Sequence, residues 1–544
     1  MFKDTIIIGC GPAGLQAGYF LKLINHDYII LESSNTSASF FSKYPHSKEL
    51  ISINKVYNDT KDKDFNLRHD WNSLLNNHKL EMKKYTKSYY PSNDNLFKYL
   101  NDFSKLYKLK IQYNTRVYHI TKIQENNINF KITCTHDDKE EVWTCNKLII
   151  ATGLSIKNTP NINNINLYAK HYSDFPKGFF LDKKNLEKYN NKKVLIIGQG
   201  NSSFELAQIL TPHCSNIVIL GRNSTPKPSI CTHYVGDVRS KYFGFYDTFI
   251  LKSLNAFNHL TEHELYDSTI VKTNDNKFFI KTCKESCECQ YINYDEIINC
   301  TGWSFDSSIF DESINLTMNF NNKYPVINGL YESISTQNLF FIGALMHSFD
   351  YKQSSGGFIH GFRYLIDNFV KINYTKFTPK LFNLDTISKQ FSNRINQSSA
   401  LYQMHGQLCD IFYKIDDNYI YYEEVPLSYI CTNKNTKIYI PHGYIFILTL
   451  EYGTKIESDL KRLGTRTTNI GTESSSLLLH PVLRIYKHEN DSFSNTDVFY
   501  PNYTNLLNMS FLQDIIHFDE DLLTDFTSDI KYNDKFYRIM KSYS

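Results

Sequence analysis

No C-x-x-C pair occurs anywhere in the 544 residues, although the chain carries 11 cysteines. That absence argues against an internal redox dithiol and against a zinc site built from paired cysteine elements. Three thiols crowd together at Cys283, Cys287 and Cys289, but they lack a second pair and read as a hairpin tip, so no metal site is expected. The chain also lacks a charge excess: 59 Lys and Arg stand against 56 Asp and Glu. That balance gives no electrostatic reason to expect nucleic acid or an anionic membrane as partner. No apolar run approaches the roughly 18–20 residues of a membrane span. No secretory leader is expected, since Met1-Phe-Lys-Asp leads straight into the first predicted strand, and the C-terminal Lys541-Ser-Tyr-Ser544 does not read as an endoplasmic-reticulum retention tail. With dispersed cysteines in apolar strands, a cytoplasmic location is expected.

What is present begins at once. Thr5-Ile-Ile-Ile-Gly9-Cys-Gly11-Pro12-Ala13-Gly14 reads as a strand entering a glycine turn, Leu15–Leu23 has helical apolar spacing, and Tyr28-Ile-Ile-Leu31 is a second strand ending at Glu32. Strand, G-x-G-x-x-G, helix, strand and acid in this order form a dinucleotide-binding fingerprint. Gly9 permits the turn, Gly11 lets backbone approach a pyrophosphate, and Gly14 lets helix and strand pack closely. The helix start offers free N–H groups and a positive dipole end to phosphate. Glu32 stands where a carboxylate binds ribose hydroxyls.

A second unit follows at Lys193-Val-Leu-Ile-Ile-Gly198-Gln-Gly200-Asn201-Ser202-Ser203, with Ser203 in the third glycine's place. Its second strand, Asn216–Leu220, ends at Gly221-Arg222 rather than at an acid. An arginine there pairs with a 2′-phosphate, so NADPH is expected on this unit and the adenosine half of FAD on the first. Two strands end in Thr-Gly, at Thr152-Gly153 and Thr301-Gly302, and mark crossings between the two units. Phe340-Phe-Ile-Gly343 is a further strand ending in glycine. Gly356-Gly357 is expected to start a helix whose N–H groups face the flavin pyrimidine edge.

Several polar clusters are candidates for the flavin face. Asn54 lies in Leu50–Lys55; Arg68, His69 and Asp70 lie together in Asn66–Asn72, and these four are the expected catalytic residues. His347, Asp350 and His360 are further candidates. Ser229–Lys241 gathers Cys231, His233, Tyr234, Asp237 and Arg239. From about Thr375 the texture changes: aromatic strands appear, with no fingerprint and no assignable chemistry. The fold class expected is α/β, with two Rossmann-like dinucleotide-binding domains, the second inserted in the first, plus a C-terminal α+β domain. The expected ranges are 1–155 and 300–374 for the FAD domain, 156–299 for the NAD(P)H domain, and 375–544 for the rest.

This order of signals resembles the flavin-containing monooxygenase and disulfide-reductase superfamily over about residues 1–370. Longer strings resemble, more narrowly, the family of endoplasmic-reticulum flavoproteins associated with degradation. They are Phe40–Pro45, Leu50–Lys55, Asn66–Leu75, Thr232–Asp237 and Ser355–Tyr364, with weaker continuation at Leu401–Met404, Glu451–Gly453 and Leu479–Pro481. The resemblance implies non-covalent FAD, NADPH as donor and work in protein quality control. It also makes Asn54 similar to an asparagine that contacts the flavin. The monooxygenase signature of phenylalanine and glycine ahead of a histidine is absent before His171. The expected reaction is hydride transfer from NADPH to flavin and on to oxygen or another small-molecule or protein acceptor. Two alternatives remain: an electron donor to disulfide-bearing protein partners, and a flavin-bound scaffold that holds a protein partner through its C-terminal domain.

Overall fold

The computed structural model describes residues 1–125, 128–221, 240–246, 248, 257–261, 268–281, 293–320, 322–432, 443–452, 479–488, 512–517 and 529–543. Three sheets organise them. The first has seven strands, in the order Ile111–Gln112, Tyr28–Leu31, Phe2–Ile8, Lys139–Ile150, Ile128–His136, Thr115–Glu125, with Leu339–Phe341 paired on Lys139–Ile150. Strand Phe2–Ile8 runs parallel to both neighbours, pairing Ile8 with Leu31 on one side and with Ile150 on the other. Strand Lys139–Ile150 changes partners along its length. Residues 139–145 pair antiparallel with Ile128–His136, whereas residues 148–150 pair parallel with Leu339–Phe341. The chain therefore leaves Phe2–Ile8 toward one side while its later strands lie on the other. That reversal opens a crevice beyond the carboxyl ends of the parallel strands.

The second sheet is wholly parallel. Its order is Phe257–Thr261, Asn216–Gly221, Lys193–Ile197, Glu296–Asn299, Ala169–His171. All of it falls in sequence between Ile150 and Leu339, two residues of the first sheet. The observed topology is thus a second α/β unit inserted in the first. Strand Lys193–Ile197 is apolar on both faces because helices and loops cover both. The two faces have separate hydrophobic cores, one around Phe204 and Ile219, the other around Leu195 and Ile297.

The third sheet is antiparallel, in the order Lys380–Phe382, Asn418–Pro426, Leu408–Ile415, Gly443–Glu451, His480–His488, Leu512–His517. Helices Leu384–Gln397 and Asp529–Ser542 meet over it, with Phe391 stacked on Phe536 at 4.0 Å. A single hydrophobic core runs without a break from Ile6 in the first sheet to Phe412, Leu483 and Phe536 in the third. The C-terminal unit is therefore packed onto the first sheet rather than tethered beside it. Among the described residues no helix is long and apolar enough to cross a membrane.

Candidate functional site

The crevice of the first sheet is built by close backbone approaches. Gly9 has φ of 101°, and a Cβ there would stand 2.8 Å from the carbonyl oxygen of Ala151. A Cβ on Gly14 would drive into the carbonyl oxygen of Gly9. Glycine at both positions lets helix Pro12–Leu23 start directly over the strand ends, with the Ala151–Thr152–Gly153 crossing beneath it. Gly343 completes the wall, because any side chain there would collide with Ala13. The helix has Pro12 in its first turn, and no side chain caps it. Around Gly11, the N-cap residue, the space for a Cβ is open. A helix start with no side-chain cap and open space at its N-cap is suited to phosphate oxygens.

Glu32 is 7 % exposed and locked in place. One carboxylate oxygen accepts the N–H of Cys10 at 2.7 Å, and the other accepts that of Ser34 at 2.8 Å. The Ser34-bonded oxygen also accepts the Ser33 hydroxyl at 3.4 Å, so the Cys10-bonded oxygen is the one that keeps a lone pair for a ribose hydroxyl. The residues present therefore fit the adenosine and pyrophosphate parts of FAD. Cys10 itself is buried, and its thiol is bonded to the Ser37 hydroxyl at 3.1 Å. Burial pushes its pKa up to about 12, so it is no nucleophile at neutral pH.

The second sheet repeats the construction. Gly198 has φ of 119°, and a Cβ there would meet the Cys300 carbonyl at 2.5 Å. Gly200 is the uncapped N-cap of helix Asn201–Leu210, again with open space at its Cβ, and Ser203 lies fully buried in the first turn. Ser202 is exposed to an intermediate degree beside it. Arg222 lies outside the described residues, as do Cys231, His233, Tyr234, Asp237, Arg239 and the thiols at 283, 287 and 289.

The two units meet at a seam the sequence reading did not single out. Glu205, on the second unit's helix, accepts the N–H of Ser47 in the first unit at 2.8 Å and the hydroxyl of Tyr172. Burial raises its pKa. His46 is 1 % exposed, and its Nε2 donates to the Tyr172 carbonyl at 3.0 Å. Burial lowers the His46 pKa to about 4, so the ring is neutral. A lone acid among the apolar positions of Asn201–Leu210 was the sequence signal for Glu205.

The four expected catalytic residues share one neighbourhood but not one role. Asn54 pairs across a β-bridge with Asp70, and its Nδ2 donates to the carbonyls of Thr86 and Ser88 at 3.1 and 3.2 Å. Its Oδ1 accepts nothing among the described residues, so it remains available. His69 is half-buried, and burial, with Lys55 and Arg68 nearby, lowers its pKa. Asp70 is committed locally: Oδ1 accepts the N–H groups of Asn72 and Ser73, and Oδ2 accepts the Ser73 hydroxyl.

Arg68 reaches toward the C-terminal unit. Its guanidinium donates to the carbonyls of Ser398 and Ile395 at 3.0 and 2.8 Å, over Tyr402 and Phe65 at 4.9 and 5.5 Å. Nε and Nη2 are thereby committed to the C-terminal unit. Helix Lys63–Arg68, capped by Asp62, aims it there.

The Gly356-Gly357 expectation also changes. The helix begins later, at Ile359, and the Gly356 N–H donates to Asp350 at 3.1 Å. Both glycines exist to let the chain pass Asp350 and His347, whose side chains a Cβ would strike. His347 Nε2 accepts the Lys352 N–H at 3.3 Å, so its proton sits on Nδ1 and goes to Asp350 at 3.1 Å. Asp350 also accepts from Ser354, and His347, Asp350 and Ser354 are buried together. His360 stacks on Trp71 at 4.5 Å.

Arg363 is the residue that sequence reasoning missed. It is fully buried and donates to the carbonyls of Leu67, Asp70 and Ser73 at 2.7, 3.0 and 2.7 Å. A lone charge inside the apolar string Gly361–Leu365 was the available signal.

Residues 6–343 match the model of the pyridine nucleotide-disulphide oxidoreductase family. The chain is similar to FAD-dependent oxidoreductase domain-containing protein 2 of Mus musculus, 33 % identical over 527 residues, covering 89 % of this chain and 76 % of the relative. The Danio rerio protein of that name is 32 % identical over 539 residues, with the same coverage. In fold, the chain is similar to the FAD-bound cadaverine monooxygenase of the desferrioxamine pathway from Erwinia amylovora. The TM-score is 0.51 at 15 % identity, covering 68 % of this chain and 94 % of that one. It is likewise similar in fold to the bacillithiol disulfide reductase of Bacillus cereus, with a TM-score of 0.50 at 17 % identity, covering 68 % and 98 %.

Proposed function

The chain belongs to the pyridine nucleotide-disulphide oxidoreductase family, in the group of FAD-dependent oxidoreductase domain-containing protein 2, and from that premise, a FAD-dependent oxidoreductase, we propose that it takes its electrons from NADPH. The observation that carries this reading is the repeated construction: two uncapped helix starts, at Gly11 and Gly200, each with open space above the N-cap and a left-handed glycine just before it. When bound, FAD supplies the two-electron acceptor. The chain's part is to hold and orient. The helix start at Gly11, Pro12, Ala13 and Gly14 takes the pyrophosphate and Glu32 the ribose, while Thr152, Gly153 and Gly343 close the crevice. Gly198, Gly200, Asn201, Ser202 and Ser203 take the donor's pyrophosphate, and Arg222 its 2′-phosphate. Asn54 Oδ1 and the neutral ring of His69 face the flavin.

The acceptor is oxygen or another small-molecule or protein acceptor. Cys10, the thiol within the first glycine loop, is held protonated and is no relay to a disulfide substrate. The test is anaerobic mixing of the purified holoenzyme with NADPH and with NADH, followed by flavin absorbance. NADPH should bleach the flavin at least tenfold faster than NADH at equal concentration, and Arg222→Ala should erase that preference. Equal rates in the unaltered protein would overturn NADPH as the donor.

A further inference from the structure

The segment 66–75 is gripped from several elements at once. Gln16 of the first helix exchanges two hydrogen bonds with Leu75, at 2.7 and 3.0 Å. Arg363 holds the carbonyls of Leu67, Asp70 and Ser73. A further grip comes from residues more than three hundred positions away. Arg68 reaches the carbonyls of Ile395 and Ser398, Gln403 Nε2 donates to the Arg68 carbonyl at 2.9 Å, and the Ser399 N–H donates to Asp64 at 3.1 Å. The same Arg68 carbonyl also accepts the Trp71 indole N–H at 2.9 Å. The segment's main chain is in turn bonded to the stretch carrying Asn54. The Lys55 N–H donates to the His69 carbonyl, and the Trp71 N–H donates to that of Ile53, both at 3.0 Å.

We infer that Arg68 is a positioning residue through which the C-terminal helices at 384–403 set the Asn54–His69 face of the flavin site. Its two carbonyl bonds and the returning bond from Gln403 fix the register of 66–75, and the bonds at Lys55 and Trp71 bracket Asn54. The C-terminal unit thereby acquires a part in the chemistry that its own residues do not advertise. The inference rests on the reading that Asn54 and His69 face the flavin. A guanidinium satisfies both carbonyls at once, whereas an ammonium on a flexible stem holds them less rigidly.

The test uses the full-chain holoenzyme with Arg68→Lys, Arg68→Gln and, from the other side of the contact, Gln403→Met. Three quantities are read: amide exchange at Lys55 and Trp71, the flavin absorbance bands, and the limiting rate of anaerobic reduction against NADPH concentration. Exchange should quicken, the bands should shift, and the limiting rate should fall about tenfold or more, as a sub-ångström misplacement does. The half-saturating NADPH concentration should stay within twofold, since the second sheet is untouched. Arg68→Lys should recover part of the loss seen in Arg68→Gln. Variants that hold FAD with unchanged bands and limiting rate, while melting earlier, would make Arg68 a purely structural anchor and overturn the inference. If the Arg68 variants fail to fold, Gln403→Met decides on the same readouts. If NADPH does not reduce the unaltered protein, the donor reading fails, and the absorbance and exchange readouts still decide the role of Arg68.

Discussion

Gly11 and Gly14 are three residues apart and answer to different demands. Open space surrounds the Cβ position of Gly11, so Gly11→Ala should leave the melting temperature of the flavin-free chain within about 1 °C while weakening FAD binding at least tenfold. At Gly14 a methyl group meets the carbonyl of Gly9, so Gly14→Ala should destabilise the flavin-free chain itself, by about 1–3 kcal/mol. Urea titration of the two variants, with and without FAD, separates these effects; equal destabilisation by both would contradict the open space at Gly11. Both glycines were legible because a fingerprint is local: its strand, turn and helix lie within thirty residues. The hydrogen bonds of Arg68 were not legible. Its partners at 395 and 398 are set by tertiary packing, and a polar cluster beside a tryptophan reads the same whether it faces a cofactor or a neighbouring helix. The same limit applied at Gly356 and Gly357, where two glycines promised a helix start and the fold uses them to clear Asp350 and His347.

At the scale of elements, the seam between the two nucleotide units depends on two buried titratable groups. His46 has a folded pKa near 4 against about 6.5 when unfolded, chiefly through burial. Between those values the unfolded chain binds a proton that the folded chain refuses. The stability from a neutral His46 is therefore complete above pH 6.5 and lost as pH falls toward 4, by at most about 3 kcal/mol. Urea midpoints measured from pH 7 to pH 4 should fall less steeply in His46→Gln than in the parent; identical slopes would remove His46 as a source of acid sensitivity. Glu205→Ala leaves the Ser47 N–H and the Tyr172 hydroxyl without their acceptor and should cost about 2 kcal/mol. If it costs nothing measurable, the two units are held by apolar contact alone. The seam escaped the sequence because its groups come from 46–47, 172 and 205, which no spacing rule joins.

Across the whole molecule, the insertion of the second unit in the first was readable from the two fingerprints and the two Thr-Gly crossings, since each parallel strand carries its own apolar run. The relation of the C-terminal third to the rest was not readable. A change of texture near Thr375 suggested a boundary, yet one hydrophobic core continues from Ile6 to Phe536. Hydrogen exchange in mild denaturant should therefore show strands Lys139–Ile150 and Leu408–Ile415 losing protection together; loss in two separate steps would mean that the shared core does not couple them. Arg394 anchors this third, donating to the fully buried Asp410 at 2.6 and 3.1 Å and to Glu424 at 2.9 Å. Arg394→Met should destabilise the chain by about 3–5 kcal/mol in urea titration, because the buried Asp410 loses its guanidinium partner.

The central claim is a division of labour: FAD on the unit that begins at Gly9, and the nicotinamide donor on the unit that begins at Gly198. Gly200→Ala tests it most directly, because that Cβ position is open and the substitution spares the fold. The purified variant should keep a full complement of FAD and be reduced by dithionite, yet its rate of anaerobic reduction by NADPH should fall at least a hundredfold. A variant that NADPH reduces as fast as the parent, or that loses its FAD, would contradict the assignment.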